Sequence, residues 1–184
     1  MLFALLLLPG LLLTSADPDY VRARQKIGLI ADDLAAPSST VSLSSREINA
    51  YAVGEIRNVA PEGIRNPKLE LGHDTATGSA LVDFLKLQHA RGQPAGWLLS
   101  MLLEGERHVS VTVQLRSGGG QATVDIQRVE LSGIAIDGAA LDFLIRNFLL
   151  PRYPDVKVGV PFNLGHRMEE IKVRPGGVFV RIGG

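Results

Sequence analysis

The chain has 184 residues, with 19 basic and 19 acidic side chains and no cysteine. Formal neutrality leaves out the basic excess that a nucleic-acid binder carries, and the lack of thiols excludes disulfide scaffolds, thiolate catalysis and a lipid-modified cysteine. A single domain of this size buries on the order of 70% of its extended-chain surface.

Leu2 to Leu13 is an apolar run interrupted at Pro9 and Gly10 and followed by Thr14, Ser15 and Ala16. A short apolar stretch ending in small residues reads as a signal peptide over residues 1–16, cleaved after Ala16; the alternative is a buried N-terminal helix. The run falls short of the roughly 20 residues a membrane span needs. On the signal-peptide reading, residues 17–184 form one exported domain, periplasmic or secreted, soluble after cleavage.

Ile27, Ile30 and Leu34 recur at helical spacing, which predicts an amphipathic helix over Tyr20 to Ala35, ended by Pro37. Val41 to Leu43 follows as a brief strand. Ser44 and Glu47 have the S-x-x-E spacing of a capping box, and Ile48, Tyr51, Ala52, Ile56 and Val59 share one face of the helix they open. Pro61 and Gly63 stop it. Strands are expected from Ile64 to Leu71 and from Thr75 to Leu87, joined near His73 and Asp74, with Asp83 as a carboxylate on an open face or bonded to a backbone turn. The segment Gly96 to Leu103 contains Trp97, Leu98, Met101 and Leu102, and reads either as core or as a membrane-facing patch with an interfacial aromatic.

From His108 to Arg116, Val109, Val111, Val113 and Leu115 alternate with Ser110, Thr112 and Gln114, the pattern of a half-buried antiparallel strand. Gly118, Gly119 and Gly120 supply a tight turn, and the chain returns through Ala122, Val124 and Ile126. The apolar phase then slips at Val129 and Leu131 and again at Ile134 and Ile136, predicting bulges near Gln127 to Arg128 and at Gly133, hence a strongly bent sheet. Asp137 is positioned to cap a helix to Leu150, with Leu141, Leu144, Ile145 and Phe148 as its inward stripe. A helix this apolar needs enclosure. Beyond it, Val156 to Val160 suggests an edge strand, and Glu170–Val173 and Val178–Ile182 a closing hairpin across Pro175, Gly176 and Gly177.

Catalytic chemistry finds little support. The four histidines are scattered without metal-ligand spacing, and Ser79 lies outside a G-x-S-x-G elbow. The glycines near Gly118 are not followed by the helix start and lysine of a phosphate loop. Glu169 and Glu170, adjacent on a strand, are expected on opposite faces. Neither an enzyme nor a cofactor or metal is therefore expected.

The segment Val41 to Tyr51, the Leu81 to Leu85 stretch, the long hairpin His108 to Ile136, the helix Asp137 to Leu150 and the closing Pro161 to Ile182 follow in an order that resembles the bacterial, single-module members of the tubular lipid-binding (TULIP) superfamily. The resemblance implies an α+β fold: a strongly bent antiparallel sheet wrapped around a long apolar helix, with one or two further N-terminal helices and a lipid in the groove. It implies non-enzymatic binding or transfer of a lipid or other apolar ligand in the cell envelope, with transient contact at a membrane surface. Apolar hairpin and helix positions, namely Val111, Val113, Val124, Ile126, Leu141, Leu144, Ile145 and Phe148, would line the groove. The competing expectation is an envelope interaction module whose core is filled by its own side chains.

Overall fold

The computed structural model describes residues 17–59, 63–89, 105–146 and 158–184 and has an α+β architecture with two antiparallel sheets. Helix α1 (Pro18–Ala31) opens at Asp17, whose carboxylate accepts from the Asp19 amide at 2.9 Å, while Pro18 stands where no amide is needed. It ends earlier than its periodicity suggests. The amides of Leu34 and Ala35 both turn back to the Leu29 carbonyl, at 2.8 and 2.9 Å, and Asp33 adopts a positive φ of 55°. Leu34, expected on the inward stripe, consequently lies beyond the helix and is 69% exposed, whereas Ala23 and Ile30 are buried.

Strand β1 (Thr40–Ser44) runs into α2 (Ser45–Val59), and the capping box forms as its spacing predicts. The Glu47 amide donates to Ser44 Oγ at 3.2 Å and the Ser44 amide to Glu47 Oε2 at 2.8 Å, satisfying two helix-end donors. Tyr20 of α1 stacks on Tyr51 at 6.0 Å and donates its hydroxyl to Glu55 at 3.0 Å. A β-carbon at Gly54 would stand 2.4 Å from the Tyr20 ring, which explains a glycine inside a helix.

The larger sheet is a meander of β2 (Ile64–Leu71), β3 (Thr75–Asp83), β4 (Glu106–Gly118), β5 (Gln121–Leu131) and β6 (Ile134–Ala135), with β7 (Phe162–Asn163) paired to the start of β5. The expected extension of β3 to Leu87 is corrected. Asp83 Oδ1 accepts from the Lys86 amide at 3.0 Å, so it caps a short helix, α3 (Phe84–His89), and Leu85 and Leu87 are helical. The Val156 to Val160 edge strand is also corrected over its described part, because residues 158–160 form a turn and the edge strand is β7.

Gly119 and Gly120, at φ 59° and 79°, are the central pair of the β4–β5 hairpin, the doubly left-handed turn that matches strand twist. Gln127 is the extra residue between the pairs Thr112↔Arg128 and Val113↔Ile126, a bulge where the phase slip locates it. Gly133 makes no bulge. With Ser132 it forms a second two-residue hairpin, φ 51° and 82°, so that Leu131 pairs with Ile134. Of the helix expected from Asp137 to Leu150, the described residues include α4 (Gly138–Leu144); Asp137 stands at its N-cap position but, contrary to expectation, its side chain makes no capping bond.

The smaller sheet orders β1, β9 (Gly177–Ile182) and β8 (Met168–Arg174), the last two being the predicted closing hairpin. Its inner face joins Val41, Ile171, Val178, Val180 and Ile182 to Ile30 and Ala35. β8 is locked to the tip of the β4–β5 hairpin, where Ser117 Oγ donates to the Ile171 carbonyl at 2.7 Å and accepts from its amide at 2.8 Å. The Asp74 amide adds a bond to the Val173 carbonyl at 3.0 Å. Glu169 and Glu170 do not part to opposite sides as expected. The register shifts between Met168 and Glu170, and this irregularity lets both carboxylates reach Arg181, at 3.6 and 3.2 Å.

Candidate functional site

Strand register determines which side chains share a face, since directly paired residues point the same way. On β4, Val109, Val111, Val113 and Leu115 stand opposite Leu131, Val129, Ile126 and Val124 of β5. On β3, Ala80, Gly78 and Ala76 stand opposite Val109, Val111 and Val113, and beyond them Leu69 and Leu71 of β2 complete the row. The structure thus brings the four predicted hairpin positions, Val111, Val113, Val124 and Ile126, onto one face. The Gln127 bulge keeps Val129 on it as well.

The opposite face is polar. Thr77 and Thr112 share a hydroxyl bond at 2.9 Å, Gln127 donates to Gln114 at 3.2 Å, and Arg128 pairs with Glu130. A sheet divided in this way presents its apolar side to something other than water. At one end Phe84 and Val82 are buried against Ile64, Ala80, Val109 and Leu131. Further along, Val111, Val113, Leu115, Val124 and Ile126 are only half-buried. In the middle, a β-carbon built at Gly78 meets no atom of the described residues within 4 Å.

Leu141 and Ile145 are half-buried on and just beyond α4. The side chain of Leu144, Phe148 and the segment with Trp97, Leu98, Met101 and Leu102 lie outside the described residues. On β3, Ala76, Gly78, Ala80 and Val82 alternate with Thr77, Ser79 and Leu81, a period that the sequence carries only faintly. The small residues hid that period.

A second feature is polar. Glu47 is buried, with its carboxylate held by Lys26 Nζ at 2.9 and 2.8 Å and by the Ser44 amide; Lys26 also donates to the Ser42 carbonyl at 2.8 Å. The Lys26 ammonium is the main reason that the Glu47 carboxyl titrates below its usual range, with the Ser44 amide adding to it against the opposing effect of burial. A depressed folded-state value means that this ion contributes stability above the unfolded carboxyl pKa, about 4.3, and loses it as pH falls through the lower folded value. Glu47→Gln is therefore expected to flatten the acid limb of a urea-midpoint curve below about pH 4.5. An unchanged slope there would remove Glu47 from acid unfolding.

Between α1 and α2 an open groove of about 410 Å³ is lined by Tyr20, Arg46, Asn49, Val53, Gly54 and Arg57. Asn49 accepts from the Leu69 amide at 2.7 Å and Tyr20 is bonded to Glu55, so its most defined polar groups serve the fold. Among the described residues no three His, Asp or Glu side chains converge as metal ligands, and no helix is long and apolar enough to cross a membrane. No protein-family model matches the sequence, and no curated protein is significantly similar to it.

Proposed function

We propose that this protein binds or transfers a lipid or another apolar ligand on the apolar face of its larger sheet, without catalysing a reaction. One observation carries the reading: a row of aliphatic side chains, backed by Thr77, Thr112, Gln114 and Arg128 on the reverse face, stays half-buried around Gly78, where a β-carbon meets no atom of the described residues within 4 Å. Val, Leu and Ile with few aromatics suit an acyl chain better than a planar ring system.

The likeness to tubular lipid-binding modules supplies the finer picture. In it the sheet, bent at the Gln127 bulge, curls around the helix that begins at Gly138, and the ligand lies between them against Leu141, Leu144, Ile145 and Phe148. The chain acts after export, in the periplasm or outside the cell, and touches a membrane only while loading or unloading. The competing reading, an envelope module filled by its own side chains, draws on the Phe84 cluster, where the chain does cover its own sheet.

Organic extraction of the purified protein followed by mass spectrometry separates the two. Each buried methylene contributes about 0.8 kcal/mol, so roughly twelve of them gain about 10 kcal/mol before the cost of immobilisation, enough to keep a ligand bound through purification. A lipid recovered in near-equal molar amount is the expected result. A protein that stays ligand-free after incubation with phospholipid vesicles would favour the self-filled module.

A further inference from the structure

Ile134 is the outermost residue of the apolar row. It pairs with Leu131 across the Ser132–Gly133 turn, so its side chain points to the same face as Val129 and Ile126, yet it is 68% exposed. A hairpin tip does not need such a residue, since the Ser132 and Gly133 backbone makes the turn. Arg107 stands nearby on the same face. It is in register with Val82, two residues before Val109, and the Ser132 amide bonds the intervening His108 carbonyl at 2.7 Å. Its guanidinium has no ion pair or hydrogen bond among the described residues, while Arg65 and Lys86, at the same end of the sheet, are each paired with an acid.

We infer that this end of the sheet, Ile134 with Arg107, docks on a phospholipid bilayer that carries anionic headgroups. The aliphatic side chain enters the acyl boundary and the Arg107 guanidinium, without a partner among the described residues, meets a lipid phosphate, the complementary charge at that depth. From this tip the apolar row passes the Phe84 cluster before it reaches the half-buried stretch around Gly78. The inference rests on the proposed ligand face, which this tip would hold against the membrane.

The test is sedimentation of the protein with vesicles of phosphatidylcholine alone and of phosphatidylcholine mixed equally with phosphatidylglycerol. Ile134→Asp is expected to weaken binding to both about tenfold, in line with losing one buried aliphatic side chain, with no change in thermal midpoint because the residue is exposed in the free protein. Arg107→Glu should weaken binding to the mixed vesicles more than to phosphatidylcholine alone, since only the former carry net negative charge. Wild-type protein that stays in solution with both vesicle types, or variants that bind like the wild type, would overturn the inference. So would a wild-type dimer that Ile134→Asp dissociates, which would make a second copy the partner. Lipid recovered by extraction together with unaltered variant binding rejects this docking site and leaves the ligand face standing; Ile134-dependent vesicle binding without extractable lipid does the reverse.

Discussion

Gly177→Ala is expected to cost about 2 to 4 kcal/mol of folding stability, the sum of a steric clash and an unfavourable backbone, and to lower the thermal midpoint by several degrees. Gly177 begins β9 at the centre of the smaller sheet, paired with Ser44 on one side and Arg174 on the other. A β-carbon there would stand 2.2 Å from the Leu43 carbonyl oxygen and 3.1 Å from its carbon. Those atoms belong to the backbone of β1, so relief requires moving a strand. Its φ of 156° also lies on the positive side, where a side chain adds strain. The consequence reaches beyond the turn, because β1 carries buried Leu43 and leads into the Ser44–Glu47 capping box. Gly176→Ala, one residue earlier, meets no atom among the described residues within 4 Å and serves as the control. Equal midpoints for the two variants would mean that β1 yields easily.

The sequence disclosed most where one local rule acted alone. The capping box at Ser44 and Glu47, the tight glycine turn, which falls on Gly119 and Gly120 while Gly118 ends the strand, and the phase slip near Gln127 are each contained in a few neighbouring residues, and each appears in the structure. The misreadings occur where two rules compete. The run from Leu81 to Leu87 is apolar enough for strand or helix, and the deciding event is Asp83 closing on the Lys86 amide. Gly133 shifts the phase as a bulge would, but a two-residue turn shifts it as well. Leu34 fits a helical stripe that the chain has already left through Asp33.

Half of the candidate site was legible for the same reason. Val111, Val113, Val124 and Ile126 announce themselves by alternation, whereas Ala76, Gly78 and Ala80 carry too little side chain to register as an apolar face. Their place in it follows from the pairing of β3 with β4, which is long-range information. The Lys26 to Glu47 bond, across 21 residues, was illegible too: the capping box accounted for Glu47, and nothing local indicated that a lysine on α1 would bury it.

Filling the space at Gly78 should remove the ligand and leave the fold. Gly78 sits between Leu69 and Val111, and nothing among the described residues comes within 4 Å of a β-carbon built there. Glycine inside a strand is weak, since it adds chain entropy and no packing, so Gly78→Val is expected to stabilise the protein by about 0.5 to 1 kcal/mol. Gly78→Trp places a large ring over Val111 and Leu69, where an acyl chain would otherwise lie. The expected outcome is a thermal midpoint at or above that of the wild type and extractable lipid reduced to a small fraction of one equivalent. A module filled by its own side chains responds in the opposite sense: the indole would overpack it at a cost of about 1 to 3 kcal/mol, and there would be no lipid to lose. Measuring midpoint and lipid content on the same preparation distinguishes the two, because only open space accepts the ring without penalty.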